Sequence, residues 1–138
     1  WKSIIQIKKL NYGTFYRASI KQALIKDITY TNCNLENIEL STTTLENCTF
    51  KNTYLNNALF TKTKFIDSTL KHSYLTNATI QRCQFKNIHF EDIDFNDILV
   101  ENCLFIKCTF KNCVLPSELH EQIKSDTTNI IKCKPQAT

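Results

Sequence analysis

Residues 46 to 55 read ENCTFKNTYL. Phe50 and Leu55 stand five positions apart, and small Cys48 and Thr53 each precede them by two. Five is neither the helical period of about 3.6 nor the strand period of about two. The count continues outward in both directions. Every residue numbered by a multiple of five from Leu10 to Leu115, 22 in all, is large and apolar or aromatic. All nine phenylalanines of the chain fall in this column. The column two places earlier, Gly13 to Cys113, is mostly small, never charged, and holds six of the seven cysteines. The column two places later, Tyr12 to Asn112, is Asn or Asp at 13 of 21 positions.

Geometry selects among the ways a chain can count in fives. On an α-helix, five residues advance about 140° modulo a full turn, so the large side chains would spread over every face. In an extended segment, a small residue and the large one two later share a face. To bring the next pair inward as well, the chain must turn once within each five-residue unit. A chain that does this winds around its own core as a β-solenoid, stabilised by stacking coil on coil. Asn and Asp tolerate left-handed backbone angles and hydrogen-bond to their own turn, which suits them to the corners. That accounts for a chain with one glycine and two prolines.

The pattern resembles the pentapeptide-repeat family, in phase over residues 11–115 for 21 repeats. The resemblance implies an all-β fold, a right-handed four-sided β-helix with four repeats per coil and about five coils. The expected divisions are an N-terminal cap at 1–10, the repeats at 11–115, and a C-terminal capping helix and tail at 116–138. Trp1, Ile4, Ile5 and Ile7 are the capping candidates at the front. At the back, PSELHEQIKS predicts a short helix, with Pro116 stopping the repeats, Ser117 capping the helix, and Leu119 and Ile123 on its apolar face. Residues 132–138 are expected to fray. Ile88, Ile93 and Ile98 are bulky for the small column and predict a local distortion.

With four repeats per coil, residues twenty apart are stacked neighbours. Asn37, Asn57, Asn77 and Asp97 form a corner ladder, and Thr29, Thr49, Thr69, His89 and Thr109 an outer line. Tyr54 and Tyr74 stack and point outward, while Leu99, Leu104, Ile106 and Val114 crowd the outside of the last coil. The expectation for the latter group is cover by the C-terminal helix; the alternative is a partner or homodimer contact at that end. Tyr54, Tyr74, Leu99, Leu104 and Ile106 are therefore the candidate partner surface.

Chemistry is sparse. His72 and His89 sit in outward columns and His120 in the tail, with no nucleophile placed beside them by sequence. No glycine-rich phosphate loop, CxxC or HExxH spacing is present. The chain is expected to be no enzyme and to carry no cofactor or metal. Cys103, Cys108 and Cys113 fall on successive sides of the coil, and Cys83 with Cys103 is the one in-phase pair a coil apart. Free buried thiols are expected. The net charge of +4 is concentrated in residues 1–26, which carry six basic groups and no acid. This mild, uneven charge disfavours nucleic-acid binding. The absence of methionine predicts an excised domain or processed chain, and no apolar run approaches the roughly 18 residues of a membrane span.

Some pentapeptide-repeat proteins resemble DNA and bind DNA gyrase. That mechanism needs a strongly acidic rod, so the resemblance is disfavoured for this near-neutral one. The leading expectation is a non-catalytic protein-interaction or scaffold module with a protein partner, as in bacterial family members and secreted effectors, cytoplasmic or host-delivered. A second comes from ENCTFKNTYL and KFIDSTL, which resemble the luminal domain of synaptic vesicle glycoprotein two, a membrane-transporter-like protein. That resemblance implies a luminal or extracellular receptor domain, one that botulinum neurotoxin uses as its receptor. The sequons Asn47-Cys48-Thr49 and Asn77-Ala78-Thr79 fit such a setting.

Overall fold

A computed structural model describes residues 9–133. The expected cap residues Trp1 to Ile7 and residues 134–138 lie outside this range. Within it the chain is a parallel β-solenoid with four faces. One face stacks seven strands, Lys9–Asn11, Thr29–Thr31, Thr49–Lys51, Thr69–Lys71, His89–Glu91, Thr109–Lys111 and Ile130–Lys132. A second runs from Ser19–Lys21 to Leu99–Glu101 and a third from Leu24–Lys26 to Leu104–Ile106, five strands each. The fourth has no continuous strands and is joined by the bridges Thr14–Asn34, Asn34–Tyr54, Tyr54–Tyr74 and Asp94–Val114. From Lys9 to Lys111 the paired strands keep a register of twenty, as in Thr49 with Thr69 and Phe50 with Leu70, and the last, Ile130–Lys132, pairs at twenty-one.

Each three-residue strand from Lys9 to Lys111 is centred on a member of the large column, and a corner follows it. All 21 corner residues from Tyr12 to Asn112 have φ between 50° and 62°. Thirteen are the Asn and Asp expected from the spacing. The other eight, Thr42 and Lys62 among them, adopt the same angles at greater intrinsic cost. The winding imposes the corner, and Asn or Asp makes it cheaper.

The small column has a second role that size alone does not reveal. Thr53 Oγ1 donates to Lys51 O (3.1 Å) and to Tyr30 O (3.4 Å), two residues and one coil back. Thr43, Thr63, Ser73 and the thiols of Cys33, Cys83 and Cys108 repeat the arrangement. The hydroxyl or thiol reaches carbonyls that border the core, so Ser, Thr and Cys are interchangeable there. In the large column the rings stack along the axis. Tyr30 lies on Phe50 at 4.8 Å, Phe65, Phe85 and Phe105 repeat at 4.9 Å, and Phe90 lies on Phe110 at 4.8 Å.

The C-terminal end differs from expectation in three ways. Ser117 does not cap the helix; it begins it, because Pro116 (φ −56°, ψ 147°) holds the capping position with no side-chain hydrogen bond. Ile130–Lys132, placed in the tail by sequence, pairs with Thr109–Lys111 and adds a seventh strand. Lastly, the helix Ser117–Lys124 lies across the open end of the core, burying Leu119 and Ile123, with Gln122 Nε2 donating to Cys103 O (3.0 Å). It does not cover the outside of the last coil: Leu99, Leu104 and Val114 stay 48%, 55% and 38% exposed.

The stacking slips once, in the coil that carries Ile93 and Ile98. On the fourth face, Leu35 and Leu55 N–H donate to Tyr54 O and Tyr74 O, and Phe95 N–H to Val114 O. Among the described residues the matching donation from Leu75 to Asp94 is missing, and the bridge ladder stops at Tyr74 and resumes at Asp94. Asn77 N–H reaches Asp97 O, where Asn37 and Asn57 use Asn56 O and Thr76 O. The coils are offset by one acceptor at this step.

Candidate partner-binding face

The fourth face carries a groove along the rod. Its volume is about 630 Å³, and its lining includes Asn52, Tyr54, His72, Tyr74, Asp92 and Asp94. Two outer columns build it: corners Tyr12, Asn32, Asn52, His72 and Asp92, and the bridge residues from Tyr54 to Asp94. Tyr54 and Tyr74 stack with centroids 5.2 Å apart and planes at 11°, and remain 46% and 54% exposed. Their register of twenty places them there, as the sequence predicts. Leu99 and Leu104 lie on other faces and Ile106 is half-buried, so the candidate surface residues do not form one patch.

Beside the tyrosines sits a polar cluster that the sequence did not disclose. His72 Nδ1 lies 2.6 Å from Asp92 Oδ2, and Asn112 Nδ2 donates to Asp92 Oδ1. Glu91 is bridged by Lys71 Nζ at 3.1 Å, His89 Nε2 at 3.3 Å and Lys111 Nζ at 3.8 Å. The Lys71 and His89 hydrogen bonds hold the Glu91 carboxyl down at about 2. His72, Glu91 and Asp92 offer ligand atoms within 4.8 Å of one another, a set that could hold a metal ion. Two lysines and a histidine already satisfy Glu91, so a cation would have to displace them. Among the described residues no hydroxyl or thiol hydrogen-bonds either histidine, and His120 on the helix faces Glu121 at 4.0 Å. The only signal for this cluster was the spacing of twenty that relates His72 to Asp92 and Lys71 to Glu91 and Lys111.

The seven cysteines are free thiols, six of them buried. Burial pushes the Cys108 thiol up to about 11 and Cys113 to about 12. The hydrogen bond that its thiol gives to the neighbouring Cys103 sulfur, with burial, pushes Cys83 up as well. A second stacked pair joins it: Cys113 N–H donates to Cys133 Sγ at 3.1 Å. Cys133 stands twenty after Cys113 but beyond Leu115, where the repeats end and the count in fives stops.

The family model of the pentapeptide repeat region matches residues 43–117, and that of the SV2A/B/C luminal domain matches residues 4–75. The chain belongs to the pentapeptide-repeat family and to that of the SV2A/B/C luminal domain. No curated protein matches. Among solved structures, the pentapeptide-repeat protein is similar to a trypsin-treated form of QnrB1, a plasmid-mediated fluoroquinolone resistance protein, with a TM-score of 0.56 and 16% identity. The match covers 92% of this chain and 65% of that one, so the chain spans less than two thirds of that trypsin-treated form. The pentapeptide repeat protein Rfr23 from the cyanobacterium Cyanothece 51142 aligns at a TM-score of 0.45 with 12% identity, covering 75% of this chain and 84% of that one. At 16% identity the likeness to QnrB1 is one of fold.

Proposed function

We propose that this chain is a non-catalytic recognition rod whose tyrosine-lined fourth face engages a protein partner. The observation that carries the reading is the exposed Tyr54–Tyr74 stack beside a groove on an otherwise regular solenoid. Large, stiff, amphipathic tyrosines bind at low entropic cost. No loop interrupts the register from Leu10 to Leu115, so no inserted segment carries chemistry. The test compares cross-linked complexes of wild-type protein with those of Tyr54→Ala, Tyr74→Ala, Leu99→Ser, Leu104→Ser and Ile106→Ser in the native host. One specific complex should disappear with the tyrosine changes. Turnover in a hydrolase screen, abolished by His89→Ala, would overturn the reading.

A luminal setting is favoured by the match of residues 4–75 to the SV2A/B/C luminal domain. Asn47 and Asn77, the two sequon asparagines, are exposed corners with φ of 52° and 60°. Asn47 Nδ2 is held by Asp27 at 2.8 Å; among the described residues Asn77 Nδ2 has no such partner, which makes it the more accessible acceptor. Among the described residues no helix is long and apolar enough to cross a membrane. Secretory expression should give a glycosidase-sensitive mass that Asn77→Gln lowers. A single unglycosylated species would count against the setting.

A further inference from the structure

We propose that the groove receives an arginine-bearing segment of the partner, with one guanidinium stacked on the outer face of Tyr74 and hydrogen-bonded to Asp94. This rests on the recognition-rod reading and assigns the partner's chemistry at that same face.

Four observations converge on it. First, the aromatic stack ends at Tyr74. The next residue in the column, Asp94, is short and tied back, its Oδ1 accepting Asn96 N–H at 2.8 Å. A planar group laid on Tyr74 therefore continues the stack at the level of the Asp94 carboxylate. Second, this is the step at which the bridge ladder opens, so the coils are least tightly joined where the third plane would enter.

Third, the charge of this face is opposite to that of the chain. Residues 12–17, 32–37, 52–57, 72–77 and 92–97 carry Glu36, Asp92, Asp94 and Asp97 against Arg17 alone, in a protein of net charge +4. Three of those four acids lie in the coil facing Tyr74. Asp92 is already engaged by His72 and Asn112, which leaves exposed Asp94 as the carboxylate for a ligand. Fourth, the same face already shows the pairing at its other end, where the Arg17 guanidinium sits 5.2 Å from the Tyr16 ring centroid. Guanidinium is preferred to ammonium because it is planar, stacks on aromatic rings and donates in a fork that a carboxylate accepts.

Fluorescein-labelled hexa-arginine and hexalysine, titrated into the whole chain near 150 mM salt and read by anisotropy, test this. Hexa-arginine should bind more tightly than hexalysine. Tyr74→Ala and Asp94→Asn should each weaken it by about two- to fivefold, the range of an exposed cation–π contact. Tyr74→Phe should keep binding, and Glu39→Gln, which removes an exposed carboxylate from another face, should leave it unchanged. Circular dichroism confirms that each variant folds, and Asp94→Asn carries the test should Tyr74→Ala unfold. Equal affinity for the two peptides with no effect of Tyr74→Ala would reduce the effect to diffuse charge and overturn the proposal. Absence of hexa-arginine binding would overturn it too. In the cross-linking experiment, a Tyr74-dependent complex that excess hexa-arginine does not displace overturns the arginine assignment while leaving the recognition rod standing.

Discussion

Asn47 sits at a corner between Asp27 in the coil before it and Asp67 in the coil after it, and Asn87 follows Asp67. Asn47 Nδ2 donates to Asp27 and Asn87 Nδ2 to Asp67, both at 2.8 Å. Both residue types accept the corner angles, but only their alternation keeps carboxylates from facing one another across consecutive coils. Asn47→Asp should therefore cost about 0.5–1 kcal/mol, the scale of like charges opposed on neighbouring strands. Urea unfolding at low salt should show the loss and added salt should reduce it; unchanged stability at low salt would refute the account. The buried thiols make a second residue-scale prediction. Cys33, Cys48, Cys83, Cys103, Cys108 and Cys113 should resist a disulfide reagent until guanidinium unfolds the chain, while half-buried Cys133 reacts first. Rapid labelling of all seven in the folded protein would contradict the packing.

Elements here are strands of three residues, too short to stand alone, so their stability comes from coils above and below. Phe85 is the middle ring of three on the third face and is 3% exposed. Phe85→Ala should destabilise by about 3–5 kcal/mol, as for other buried rings, measured as a lower urea midpoint. On the first face Glu91 joins three consecutive strands through Lys71 and Lys111. Its carboxyl is lowered from 4.5 to about 2, so its stabilising contribution is full above pH 4.5 and is lost as pH falls towards 2. Wild-type protein and Glu91→Gln should differ in stability at pH 6 and converge near pH 2; a constant difference across that range would rule out the ion pairs as its source. Much of this was legible beforehand. A period of five names the core column, and a period of twenty stacks Tyr54 on Tyr74. The strand Ile130–Lys132 was not legible, because a single segment after a helix has no repeat to declare it. Nor was Ser117's place, which Pro116 decides by taking the cap. Bulky Ile88, Ile93 and Ile98 announced a distortion in that coil, but not that the ladder would open between Tyr74 and Asp94, since that depends on how one coil is offset from the next.

At the scale of the whole molecule, contacts run almost entirely from each coil to the next, so loss at an end propagates inward. Among the described residues the C-terminal cover consists of the helix and the last strand, with Asn129 Nδ2 donating to Phe105 O and Ile130 N–H to Cys108 O. Truncation after Leu115 would uncover that end. Hydrogen exchange should then rise first in residues 99–115 and leave Thr49–Lys51 protected; uniform loss of protection along the rod would show the chain to be a single cooperative unit instead.

The register of twenty also governs how such a protein can change length. Removing twenty residues would shorten the rod by one interstrand step of roughly 4.8 Å and return every outer column to its place. Removing five would still leave an apolar residue at every core position, yet turn everything downstream by a quarter revolution, parting Tyr74 from Tyr54 and giving each buried ring a new neighbour. The interior can absorb such a change; the outside cannot. Inheritance of a binding face therefore admits only whole-coil edits, and length variation among chains that keep such a face should come in twenties.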